Sequence, residues 1–132
     1  MIVGTGIDVV EVDRIRKELE KAAERFYSML FTHDEIAYCL QGSNVNVQSQ
    51  RFGGRFAAKE AFFKAIGTGL RDGLSWKDVE VINDELGKPH LVLKNRALEI
   101  IEKEGVTNTQ VSIAHGKKVA TSIVILEKND DK

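Results

Sequence analysis

Residues 55–66 read Arg55-Phe56-Ala57-Ala58-Lys59-Glu60-Ala61-Phe62-Phe63-Lys64-Ala65-Ile66. At about 100° per residue, Glu60 and Lys64 fall on one face of a helix, four positions apart, beside Phe56, Ala57 and Phe63. Ala58, Ala61, Phe62, Ala65 and Ile66 cover the opposite side. A helix apolar almost all round is buried by its own fold or by a partner subunit. The pattern predicts this helix from about Gln50 to Ile66, stopping at Gly67-Thr68-Gly69.

Outward from this helix, the other elements are shorter. Ile2 to Val10 is β-branched and glycine-interrupted, which predicts a strand. From Asp13 the period turns helical, with Ile15, Leu19, Ala22, Phe26 and Met29 on one stripe. Thr32-His33-Asp34-Glu35 matches a capping box and starts a second short helix. Gln41 to Asn46 is polar and reads as a loop. Val79–Ile82 and His90–Leu93 form a hairpin through Asn83 to Pro89. Asn95 is the expected cap of a helix ending at Gly105. Val111–Ala114 and Val119–Leu126 form a second hairpin turning at Gly116-Lys117-Lys118. The expected class is α+β: a small antiparallel-type sheet with helices packed on one face.

Length and composition narrow the function. The 132 residues fit one domain, 1–132, with 128–132 as a frayed tail. Lys and Arg number 19 against 20 Asp and Glu, a net charge of −1, so there is no footprint of non-specific nucleic-acid binding. The apolar stretches are strand-length, too short to span a membrane. Met1 to Asp8 carries no basic leader, and Cys39 is the one cysteine. The expectation is a cytoplasmic protein without a disulfide.

The residues able to do chemistry each carry a plain alternative. Glu60 and Lys64 read as an ordinary helix-stabilising pair or as working charges on a buried helix. Asp8 lies in an apolar strand, where Asp is depleted, either bonded to backbone or aimed at an ion. Asp8 with Glu60 would form a hard, oxygen-only site of few ligands, suited to Mg²⁺ completed by substrate phosphates. Lys64 beside it would act as a point charge on a phosphate. Gly67-Thr68-Gly69 could cradle a phosphate but equally caps a helix. His115 and Lys117-Lys118 read most simply as surface groups at a turn. Arg14, Lys17, Lys21 and Arg25 project to one side of the first helix, and Asp13, Glu20 and Glu24 to another. That separation reads as a solvated face or as a docking strip for an acidic partner.

Taken together and in order, several motifs resemble the holo-acyl-carrier-protein synthases, the small bacterial-type 4′-phosphopantetheinyl transferases. They are Gly6-Ile7-Asp8 running to Ile15, Phe31-Thr32 with Glu35, and Gly54 to Ala61 with Lys64. Gly67-Thr68-Gly69, Gly87-Lys88-Pro89 and Val111 to His115 follow. The resemblance covers nearly the whole chain. It implies transfer of the 4′-phosphopantetheine arm of coenzyme A to a serine of apo-acyl carrier protein, releasing adenosine 3′,5′-bisphosphate, with Mg²⁺ required. It implies metal ligands Asp8 and Glu60, phosphate contact by Lys64, and coenzyme A contacts from Arg55, Lys59, Gly67, Thr68 and His115. It also implies a homotrimer with active sites between subunits and a place in fatty acid biosynthesis. Ala114, where the family usually has Ser or Thr, and Leu86, where it often has a polar residue, depart from the pattern. Other classes weighed are a Mg²⁺-dependent nucleotide hydrolase and a non-catalytic module binding a nucleotide or an acidic protein.

Overall fold

The computed structural model describes residues 1–71 and 73–129. Strand β1 (Ile2–Glu11) leads into helices α1 (Val12–Leu30), α2 (His33–Leu40) and α3 (Val45–Ile66). A 3₁₀ turn (Trp76–Asp78), strands β2 (Val79–Asn83) and β3 (Pro89–Leu93), helix α4 (Asn95–Lys103) and strands β4 (Asn108–His115) and β5 (Val119–Glu127) follow. The α+β class and the element order match the sequence reading. The sheet differs: the described residues form two, a three-stranded antiparallel sheet in the order β1-β5-β4 and a separate β2-β3 hairpin.

Helix α3 lies across one face of the three-stranded sheet. On that face Gly4, Gly6, Asp8 and Val10 of β1 stand opposite Leu126, Val124, Ser122 and Ala120 of β5. Cross-strand partners share a face, so this register brings Asp8 under the helix. The helix comes close because β1 offers no side chain at Gly6. A Cβ there would run into the Ala61 carbonyl oxygen and stand 2.8 Å from Ala65 N. Gly6→Ala is therefore expected to cost about 1–3 kcal/mol, as overpacking a core does. Urea unfolding checks it, and a midpoint equal to the parent's would contradict it.

The core has two parts. Ala61, Phe62, Phe63, Val79, Ala97, Ile101, Val124 and Leu126 join α3, β2, α4 and β5. Val10, Ile15, Phe31, Cys39, Phe52 and Ala57 join β1, α1, α2 and α3. Phe52 and Phe62 are wholly buried, each contributing about 1.5–3 kcal/mol by leaving water. As expected, Thr32 and Glu35 close a reciprocal capping box, and Gly67 ends α3 in a left-handed conformation (φ 81°).

Several local expectations need correction. Helix α3 begins at Val45, not Gln50, because the Asn44 side chain accepts the Val47 N–H at 2.9 Å and caps it. The residues 45–46 read as loop are therefore its first turn. Asn95 does not cap α4. Lys94 holds the cap position, while Asn95 is the first helical residue (φ 50°) and donates to Asp78 Oδ1 at 3.2 Å. Helix α1 kinks at Ala22 (φ −159°, ψ 68°), which rotates its end and leaves Met29 61% exposed. Fraying does not start at 128: Lys128 N–H donates to Met1 O (2.8 Å) and Asn129 N–H to Thr107 Oγ1 (3.0 Å). The remaining tail residues, 130–132, lie outside the described residues.

Candidate active site

Three charges meet where β1 passes under α3. Lys64 Nζ lies 3.0 Å from Asp8 Oδ1 and 3.0 Å from the Ile7 carbonyl oxygen. The helix pair that spacing suggested is absent: among the described residues no ion pair joins Lys64 to Glu60, and Lys64 reaches across to β1 instead. Asp8 is held from behind, its backbone oxygen accepting from Thr121 Oγ1 at 2.9 Å. Asp8 and Glu60 open on a cleft of about 510 Å³, walled also by Phe56, Arg14 and Lys17. The carboxylates thus face basic side chains of α1 across one depression.

Partial burial pushes the Glu60 carboxyl above its usual range, the Asp8 charge adds to this, and Lys64 opposes it. The fold therefore favours protonated Glu60. The stability this gives is present below the ordinary carboxylate range and lost as pH rises through the folded-state pKa. At neutral pH the ionised form is a cost, so Glu60→Gln is expected to melt higher than the parent near pH 7. The difference should shrink toward about pH 4, where parent Glu60 is protonated as well. Calorimetry at both pH values checks it; a Gln variant that melts lower at pH 7 would contradict it.

Two carboxylates are a sparse metal site. Among the described residues no group of three or more His, Cys, Asp or Glu side chains is assembled to hold an ion. Yet Asp8 already holds a cationic group, the Lys64 ammonium. The Glu60 carboxyl beside it feels the Asp8 charge. Two hard oxygen donors on adjoining elements fit a cation that keeps several waters and completes its shell with phosphate oxygens.

A second basic locus lies on another side of α3. The Arg55 and Arg51 guanidinium carbons stand 4.0 and 4.5 Å from the centre of the Tyr38 ring. Arg55 Nη2 donates to Asn83 Oδ1 at 3.2 Å, while its buried Nε has no hydrogen-bond partner among the described residues. His115 Nδ1 lies 2.9 Å from Gln50 Oε1. Burial, then the Arg51 and Arg55 charges, hold the His115 pKa below its usual value. Arg55 and His115, expected to act together, do share one field. Arg51 was not singled out in the sequence, though its spacing of four from Arg55 was the available signal.

Other expected site residues fall elsewhere. Lys59 is wholly buried, not on a cleft wall. Its ammonium pairs with buried Glu35 (2.9 Å) and donates to the carbonyl oxygens of Trp76 (3.0 Å) and Val79. These contacts tie α2 and α3 to β2. Gly67 spends its N–H on the carbonyls of Phe63 and Lys64, and Thr68 Oγ1 donates to Gly69 O at 3.0 Å. Of the α1 strip, Arg14 and Lys17 line the cleft. Lys21 and Arg25 are exposed on either side of the Ala22 kink. Lys117 and Lys118 share a second groove with Arg14 and Lys17, because Val12 N–H donates to Lys118 O at 2.9 Å. Leu86 is 94% exposed at the hairpin tip, and Ala114 lies on the uncovered sheet face near Ile7 and Ile123.

Residues 4–123 match the family model of the 4′-phosphopantetheinyl transferase superfamily, and the chain belongs to that family. It is 46% identical over 128 residues to the holo-[acyl-carrier-protein] synthase of Geobacter sp. (strain M21), covering 97% of this chain and 100% of that one. Among solved structures, the holo-[acyl-carrier-protein] synthase of Neisseria meningitidis superposes with TM-score 0.82 at 32% identity, covering 97% of this chain and 100% of that one. The Bacillus anthracis synthase in complex with CoA (3′,5′-ADP) superposes with TM-score 0.80 at 36% identity, covering 98% and 99%.

Proposed function

We propose that this chain moves the 4′-phosphopantetheine arm of coenzyme A to a serine of an apo-acyl carrier protein. The products are holo-acyl carrier protein and adenosine 3′,5′-bisphosphate, and the reaction serves fatty acid biosynthesis in the cytoplasm. The observation that carries this reading is the Asp8–Lys64 pair beside Glu60 in one cleft with Arg14 and Lys17. Carboxylates for a metal, an ammonium for a phosphate and a basic wall for an acidic protein then adjoin.

Asp8 and Glu60 would hold Mg²⁺, which when bound supplies charge neutralisation on the diphosphate. Lys64 would neutralise a further phosphate oxygen. The carrier serine Oγ forms a bond to the β-phosphorus, and the bond from that phosphorus to the bridging oxygen breaks, so the bridging oxygen leaves with adenosine bisphosphate. The serine proton would need an acceptor in the cleft, either Glu60 or a water held at the metal. Arg55, Arg51 and His115 would meet the nucleotide's outer phosphate.

The reading includes a homotrimer of single-domain subunits with sites between them. The uncovered sheet face carries Ile7 (60% exposed), Val9 (63%) and Ile123 (40%), an apolar surface suited to burial by other copies. The Asp8–Glu60 cleft and the pocket containing Arg55 and Asn83 share no lining residue. One coenzyme A touching both kinds of group is served by two subunits more readily than by one.

Chromatography of coenzyme A after incubation with Mg²⁺ and carrier protein tests the reading. Adenosine bisphosphate should form with apo-carrier and not with a carrier whose acceptor serine is Ala. Equal release without any acceptor would favour a hydrolase instead. Arg14→Glu should raise the KM for carrier protein about fivefold, the ~1 kcal/mol scale of an exposed ion pair. The KM for coenzyme A should not move. Steady-state kinetics in both substrates decide it, and an equal rise in both would remove Arg14 from the docking surface.

A further inference from the structure

Lys64 stands where a cation would stand. Its ammonium contacts two hard oxygens at 3.0 Å each, Asp8 Oδ1 and Ile7 O. The Asp8 side chain is 13% exposed, and that of Lys64 is 55% exposed. The carboxylate is thus fixed in the cleft wall, while the ammonium rides on a flexible stem open to solvent. A divalent ion approaching Asp8 meets a like charge on the oxygen it needs. A phosphate arriving in the cleft offers that ammonium other oxygens and draws it away.

We propose that Lys64 competes with the metal for Asp8 in the free protein, and that the diphosphate of coenzyme A releases this competition. Metal and substrate then reinforce each other through one side chain. Each raises the affinity for the other by the same factor. Free protein holds little metal, and the complete charge constellation forms when the nucleotide arrives. This rests on the metal reading above and adds to it an order and a cause. Lys17, on the wall of the same cleft, differs in kind: its ammonium pairs with Asp13 at 3.3 Å, outside the Asp8 contact.

Mn²⁺ is the probe, its free signal read by electron paramagnetic resonance, without carrier protein so that coenzyme A stays intact. Without coenzyme A, Lys64→Met should bind Mn²⁺ about tenfold more tightly than the parent, a factor ordinary for coupled sites. Lys64→Arg, which keeps the charge on Asp8, should bind as the parent does. Adding coenzyme A should raise Mn²⁺ affinity strongly in the parent and less in Lys64→Met. Unchanged or weaker Mn²⁺ binding by Lys64→Met would overturn the proposal. So would equal tightening in Lys17→Met, which would mark a general charge effect. Absence of Mn²⁺ binding in every form, with and without coenzyme A, would instead overturn the metal site itself and this inference with it.

Discussion

Asp8→Asn is expected to slow phosphopantetheine transfer by about 10²–10³-fold, the scale of removing one preorganised charge-stabilising group. Asparagine keeps the shape and removes the charge. The bond from Thr121 Oγ1 goes to the Asp8 backbone oxygen and survives the change. Gly6 and Val10, which seat β1 against α3, are untouched. The variant should therefore fold with a melting point near the parent's while turnover falls. Quenched-flow transfer to apo-carrier protein, beside a melting curve, separates the two effects. Transfer within threefold of the parent would mean that Asp8 is a structural aspartate.

Lys59→Met is expected to cost about 3–5 kcal/mol of folding stability, because it leaves a buried carboxylate without its counter-charge. Both side chains of the Lys59–Glu35 pair are wholly buried. Glu35 Oε1 also accepts the Thr32 N–H at 2.9 Å, and Oε2 accepts the Val81 N–H at 2.7 Å. Burial pulls the Lys59 pKa down, and the Glu35 charge and hydrogen bond pull it back up. Removing the ammonium strands the Glu35 charge and leaves the carbonyls of Trp76 and Val79 short of a donor. Lys59→Met with Glu35→Gln should recover part of the loss, since the stranded charge is gone and one amide oxygen still accepts. Urea unfolding of the parent, both single variants and the double variant measures the coupling. A Lys59→Met variant within 1 kcal/mol of the parent would contradict the buried-pair account.

Lys59 and Glu60 also mark where the sequence is legible. Glu60, Lys64 and Asp8 could be singled out because charges on an apolar helix and an Asp in an apolar strand are locally anomalous. What the helix spacing could not give was the partner: Lys64 answers to Asp8, 56 positions away, and not to Glu60. Only the family resemblance places Lys59 among the coenzyme A contacts, and nothing nearby in sequence reveals Glu35 or the carbonyls of Trp76 and Val79. Its direction is fixed by how α2 and β2 pack on α3. The Thr32–Glu35 capping box was readable because its bonds span three residues. The Asn44 cap is just as local, but the polar stretch around it, Gln41 to Asn46, has the composition of a loop. The meeting of Lys117 and Lys118 with Arg14 was not readable, since it follows from the pairing of Glu11 with Val119.

The most direct test of the account is the intact mass of an apo-acyl carrier protein incubated with this chain, coenzyme A and Mg²⁺, beside a sample containing EDTA. The account predicts that the carrier gains the mass of one phosphopantetheine arm, and that EDTA abolishes the gain. A carrier of unchanged mass, with folded protein and cleaved coenzyme A, would contradict the transfer; a full gain in EDTA would contradict the metal role given to Asp8 and Glu60.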